Sequence, residues 1–162
     1  MQKAQSSEEQ IEEWFYQLEK EYATCSEEPV LLVGDFNAHV GNDSEGIKHN
    51  LSRINSNGRK LREFINRRNL TLLNNTSICQ GLWTRIEGDS KSAIDLAICN
   101  ENMISKVIKM VIDEDRKYVL TRVRKTDGIF TEVQSDHNSI FIDLKGEKVK
   151  NIPKTVRWNV SR

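Results

Sequence analysis

Three short runs carry residue types able to hydrolyse a phosphodiester: Gly34-Asp35-Phe36-Asn37, Ser92-Ala93-Ile94-Asp95 and Ser135-Asp136-His137. The reaction needs an activated water, relief of charge on the non-bridging oxygens, in-line geometry and help for the leaving oxygen. A carboxylate can orient or deprotonate the water. An amide and an imidazole can donate to phosphoryl oxygens as negative charge builds. A hard cation such as Mg²⁺, held by carboxylates, neutralises the leaving side. Asp35, Asn37, Asp95, Asp136 and His137 supply these types.

Each run also has a plainer reading. Gly-Asp-x-Asn after an apolar strand can be only a turn, because all but Phe36 are turn formers. If the strand instead persists, Asp35 and Asn37 share a face and Phe36 points inward. Asp95 lies in the apolar stretch Ala93–Ile98, where an unpaired carboxylate is costly. A structural hydrogen bond is one solution; a bond to His137, aiming the other ring nitrogen at substrate, is another. Asp136 and His137 would face opposite sides of an extended chain, so a shared site needs a bend there. His39 and His49 read as surface residues.

The elements that must position these residues follow from periodicity. Residues 7–23 predict an amphipathic helix with Ser7 and Gln10 as a capping box and Ile11, Trp14, Phe15, Leu18 and Tyr22 on one core-facing stripe. Ser26–Pro29 breaks it, and Val30–Val33 reads as a fully buried strand ending at Gly34. Residues 41–56 read as a surface loop. Asn57-Gly58 precedes a helix of about ten residues with Leu61, Phe64 and Ile65 inward and Arg59, Lys60, Arg62, Arg67 and Arg68 outward. Strands are expected at Leu70–Asn74, at Leu82–Arg85 and Ser92–Ile98 joined by a turn at Glu87-Gly88-Asp89, at Tyr118–Val123 and at Ser139–Leu144. Residues 103–112 suggest a short helix followed by a strand. The order suggests α+β layers around mixed sheets, with function at strand ends. Residues 1–145 read as one domain portion and 146–162 as a basic tail or linker.

Composition sets the bounds. Charged residues make up 30% and hydrophobic ones 37%, enough for a globular core. The net charge of zero conceals an asymmetry: residues 1–28 hold eight Glu against Lys3 and Lys20, whereas the remainder carries an excess of six Lys/Arg over Asp/Glu. The body suits a polyanionic partner. Its basic helix face and Arg122-Val123-Arg124-Lys125 could hold phosphates, or simply be solvated. Cys25, Cys79 and Cys99 lack zinc-site spacing and read as reduced thiols of an intracellular, nuclear or cytoplasmic protein. No signal-peptide pattern or membrane span is expected, nor a membrane partner.

Taken together, Gly34-Asp35-Phe36-Asn37, Trp83-Thr84, Ser92-Ala93-Ile94-Asp95 and Ser135-Asp136-His137 resemble the endonuclease/exonuclease/phosphatase superfamily. Gly34 through Gly41, with Asn57-Gly58-Arg59 through Asn74, looks most like the apurinic-type endonuclease domain of LINE-type (non-LTR) retrotransposons. The likeness spans about residues 10–145. It implies part of a DNase I-like four-layer α-β-β-α sandwich that nicks DNA with Mg²⁺, or Mn²⁺ in its place. It implies that Asp35 activates water, Asn37 holds the scissile phosphate, Asp95 pairs with His137, His137 stabilises the transition state and Asp136 helps bind the metal. Thr84, Ser92 and Ser135 match polar positions that line the site or touch DNA. The family's N-terminal half contributes an Asn, a principal metal-binding Glu and a phosphate-side Tyr or His without counterparts here. The expectation is therefore a C-terminal portion, inactive alone and completed by its N-terminal half or a second copy, with a reverse transcriptase domain in the parent element. A non-catalytic DNA-binding or interaction module is the alternative. A phosphatase or sphingomyelinase-like phosphodiesterase shares the same motifs.

Overall fold

A computed structural model describes residues 8–41, 54–126 and 128–146. The elements in chain order are α1 (Glu8–Cys25), β1 (Leu31–Asp35), α2 (Ser56–Arg67), β2 (Thr71–Leu72), a 3-10 turn (Leu73–Asn75), β3 (Cys79–Gln80), β4 (Arg85–Glu87), β5 (Ser90–Ser92), β6 (Asp95–Cys99), α3 (Glu101–Ile104), β7 (Val107–Ile112), β8 (Thr121–Thr126), β9 (Ile129–Gln134) and β10 (Ile140–Leu144). The loop expected over 41–56 and the tail from 146 fall largely outside the described residues.

Two three-stranded sheets form the centre, one ordered β1-β6-β2 and the other β10-β7-β3. The alternation of β6 explains the layering. Leu96 and Ile98 face α1 and α2, joining Phe15, Tyr22, Leu61 and Phe64 in one core. Ala97 and Cys99 face the second sheet, joining Leu73, Val107, Met110 and Ile112 in another. A helical layer, a first sheet and a second sheet therefore stack in order. Beyond the second sheet, Ile108 and Phe141 are 54% and 44% exposed. Three of the sandwich's four layers are thus present among the described residues, consistent with the α+β expectation.

Several expectations are corrected. β1 is not fully buried. It is an edge strand, and Val33 is 51% exposed on the face its neighbour Leu31 turns to the second sheet. The stripe on α1 buries Phe15 and Tyr22, but leaves Trp14 47% exposed. α2 begins earlier than predicted, because Asn55 is its N-cap, accepting from Gly58 N–H. β9, largely exposed, pairs with β8 as a hairpin that the sequence reading did not anticipate.

The charge asymmetry also resolves into packing. Lys60 bonds Glu12 at 3.1 Å, and Arg67 and Arg68 both grip Glu19. Exposed pairs of this kind stabilise by only about 0–1 kcal/mol each. Their effect on the field is larger: the acidic first helix answers the basic second one, so α2 is not an open phosphate-binding face.

Candidate active site

Asp35 ends β1 and lies directly opposite Asp95, the first residue of β6, in an antiparallel ladder. Phe36 N–H extends that ladder by donating to Ile94 C=O at 3.0 Å. The chain then turns. Asn37 adopts φ +46°, and its N–H donates to Asp35 Oδ1 at 2.9 Å. The motif is therefore both of its readings at once: a strand end as far as Asp35 and an Asx turn beyond it. The alternative, in which strand geometry carries on to Asn37, does not hold, and the turn reading does from Asn37 onward.

This turn is held from outside by residues to which no role was given. Asn55 Nδ2 donates to Asn37 C=O at 2.7 Å, and Asn55 Oδ1 accepts from His39 N–H at 3.0 Å. Asn57 Nδ2 donates to Phe36 C=O at 3.1 Å. Gly58 lies so close that a Cβ there would sit 1.9 Å from His39 O. Asn55-x-Asn57-Gly58 thus clamps the Asp35 turn onto the start of α2. Asn57-Gly58 was visible in the sequence as a helix start, but its reach across the chain was not.

Asp95 is fixed just as closely. Thr84, wholly buried, accepts with its Oγ1 from Ile94 N–H at 3.0 Å and Asp95 N–H at 2.9 Å. Asn74, 2% exposed, donates to Asp95 C=O at 3.2 Å and accepts from Ala97 N–H at 2.8 Å. The side chain of Asn74 therefore continues the sheet where β2 has ended. The sequence expectation placed Thr84 among residues that line the site or touch DNA. The structure instead spends its hydroxyl on the Asp95 backbone, making it a positioning residue. Ser92, half-buried, uses its carbonyl to accept from Thr84 N–H at 3.0 Å.

The third run bends as required. His137 makes a lone bridge to Arg85, and Asn138 N–H donates to Thr84 C=O at 2.7 Å. Ser135 Oγ accepts from His137 N–H at 3.1 Å. Asn138, 5% exposed, donates from Nδ2 to Trp83 C=O at 2.7 Å and accepts from Arg116. Through these bonds His137 Nδ1 sits 2.9 Å from both carboxylate oxygens of Asp95. One ring nitrogen is thereby engaged by a carboxylate, which orients the ring and directs Nε2 elsewhere.

Asp35, Asp95 and His137 each present a ligand atom within 4.8 Å of the others, a grouping that could hold a metal ion. Asp136 stands apart from it. Its Oδ2 accepts from Arg85 Nε at 2.6 Å, and its Oδ1 is 4.0 Å from His137 Nε2. Burial pushes the Asp136 carboxyl upward, but the hydrogen bond from Arg85, a backbone bond and the charges of Arg85 and His137 together hold it below the ordinary carboxylate range. Burial likewise opposes the charge on Arg85, and Asp136 with Glu87 outweighs it, raising the guanidinium's pKa. The carboxylate-rich donors suit a hard divalent cation better than zinc.

A family model described as endonuclease-reverse transcriptase matches residues 3–141. Among solved structures, the chain is similar to the endonuclease domain of TRAS1, a telomere-specific non-LTR retrotransposon, with a TM-score of 0.53 and 21% sequence identity. The match covers 85% of this chain and 53% of that one, so the chain spans about half the length of the solved domain it resembles. No curated protein matches the chain.

Proposed function

Because the chain belongs to the endonuclease-reverse transcriptase family, we propose that its site hydrolyses a DNA phosphodiester with a divalent cation, Mg²⁺ or Mn²⁺. The observation that carries this reading is the Asp95 carboxylate 2.9 Å from His137 Nδ1, with Asp35 completing a cluster within 4.8 Å. Asp35 orients a water and takes its proton as the oxygen attacks phosphorus. Asn37 donates its side-chain amide to a non-bridging oxygen. His137, its Nδ1 held by Asp95, turns Nε2 toward the phosphoryl oxygens as the P–O bond to the leaving group breaks. Ser92 and Ser135 are the residues we assign to the substrate backbone; Ser92 C=O accepts from Thr84 N–H and Ser135 Oγ from His137 N–H. Asp136, kept ionised by Arg85, is the residue we assign to helping bind the metal, beside the Asp35, Asp95 and His137 cluster that could also supply ligands. The cation would neutralise charge on the leaving oxygen.

The exposed apolar side chains of Val33, Ile108, Phe141 and Leu144 along the sheets support a further protein surface against them, either the rest of such a domain or a second copy. A linked reverse transcriptase domain would use the nick. The alternative of a purely DNA-binding module draws less support, since Glu12 and Glu19 already answer the basic α2 face. No helix among the described residues is long and apolar enough to cross a membrane.

The test is nicking of supercoiled plasmid by the purified chain in Mg²⁺, alone and with added N-terminal half-domain, beside EDTA, Asp35→Ala and His137→Ala controls. EDTA-sensitive nicking that disappears in both variants is the expected result. A folded, completed protein without nicking, or nicking indifferent to both substitutions, refutes it.

A further inference from the structure

Trp14 lies on the core-facing stripe of α1 but is only half covered. Its ring is held edge-to-face by Phe15 at 4.9 Å and by Phe36 at 5.8 Å, and 47% of the residue remains exposed. That surface lines a cleft of about 430 Å³ whose other walls include Gln10, Asp35, Phe36, Asn37 and Asn57. Two residues assigned to the reacting phosphate therefore share one cavity with a clamped, half-exposed indole. The volume falls within the range of small-ligand sites.

We infer that this cleft is a nucleoside subsite, in which a base unstacked from its neighbours lies against Trp14 while its phosphate is held at Asp35 and Asn37. The inference rests on the phosphodiesterase reading of the site. A scissile phosphate has a nucleoside one linkage away on either side, so whatever Asn37 holds brings a base within reach of the cleft. Charge decides which part of the polymer enters. Glu8 and Glu9 occupy the first turn of α1, next to Gln10 in the cleft wall, so a second phosphate in this direction would meet negative charge. A neutral, flat, polarisable group is welcome: the base stacks on the indole, between walls that include Gln10 and Asn57. A paired base inside a duplex cannot present its face, so the subsite favours a mismatched, extrahelical or single-stranded nucleoside beside the cut.

The probe is a short oligothymidylate, compared with a fully paired duplex of equal length, titrated into the full chain while tryptophan emission and anisotropy are recorded. Emission should be quenched by the oligothymidylate, and the quenched component should vanish in Trp14→Phe, which leaves Trp83 and Trp158 in place. Trp14→Ala should weaken oligothymidylate binding about tenfold or more, as loss of one aromatic stack does, and leave duplex affinity unchanged. Equal quenching in Trp14→Phe and the unmodified chain overturns the proposal whether or not Trp14→Ala folds. Equal weakening for both probes overturns it too, and assigns the cleft to protein packing. Plasmid nicking separates the two claims: Trp14-dependent binding without nicking in the completed protein leaves the subsite standing and removes the hydrolytic reading. Nicking with Trp14-independent binding does the reverse.

Discussion

Thr84→Val tests the geometry of the site more sharply than removing a catalytic group. The substitution is nearly isosteric and deletes one atom's function. Thr84 is wholly buried, and its Oγ1 is the acceptor for the amides of Ile94 and Asp95 at 3.0 and 2.9 Å. Leaving a buried donor without a partner costs about 1–3 kcal/mol. Two such donors, less a small gain from the added methyl, give a loss of roughly 2–4 kcal/mol. For a chain of this size that lowers the melting temperature by on the order of 5–15 °C. The amide released belongs to the residue that holds His137, so nicking should fall well beyond the loss of folded protein, with kcat affected more than KM. Thr84→Ser is the control. It loses a methyl, at about 1 kcal/mol, and keeps the acceptor. Its melting temperature should drop modestly and its activity per folded molecule should survive. The assays are thermal melts and single-turnover nicking at a temperature where every variant is folded. A Val variant as stable and active as the parent refutes the reasoning, as does a Ser variant as inactive as the Val one.

Other outcomes follow from neighbouring contacts. Gly58→Ala would ordinarily strengthen a helix interior by about 1 kcal/mol, yet here the new Cβ meets His39 O at 1.9 Å; a destabilisation of roughly 3 kcal/mol in denaturant melts is expected, and a neutral or stabilising result contradicts the clamp. In Arg85→Gln the Asp136 carboxyl should titrate closer to its ordinary range, seen by carboxyl NMR. Its folded pKa is depressed in the parent, so its contribution is complete above the unfolded value and is lost as pH falls through the depressed one, below about pH 4. Because the Asp136 side chain is 42% exposed, solvent screening limits this contribution to about 1 kcal/mol or less, and melting at neutral pH should barely change. Plasmid nicking with Asp35→Ala and the Trp14 titrations complete the set.

How much of this was legible beforehand depended on how local each cause is. The strand before Gly34, the helix carrying Leu61 and Phe64 and the α3–β7 pair could be read from periodicity, because burial on one face imprints itself on adjacent residues. Asp95 and His137 could be paired because a carboxylate in an apolar stretch demands a partner. Thr84 and Asn74 could not be placed. Nothing nearby in sequence reveals that a threonine will accept from amides ten and eleven positions on, or that an asparagine will stand in for a missing strand. The lysine and arginines of α2 looked free because their glutamates lie 48 and 49 residues away. Trp14 fell on the correct helical stripe, but the stripe outreaches the sheet it covers.

The antiparallel ladder that sets Asp35 against Asp95 also has a kinetic meaning. It joins two segments separated by the whole of α2, β2 and the β4–β5 hairpin, and His137 enters from 42 residues further along. Contacts so distant in the chain close late, after the loop entropy between them has been lost. No helix, hairpin or other local piece contains two of the three groups. In a nascent or partly unfolded chain the three groups are therefore apart, and the site exists only once the topology is complete.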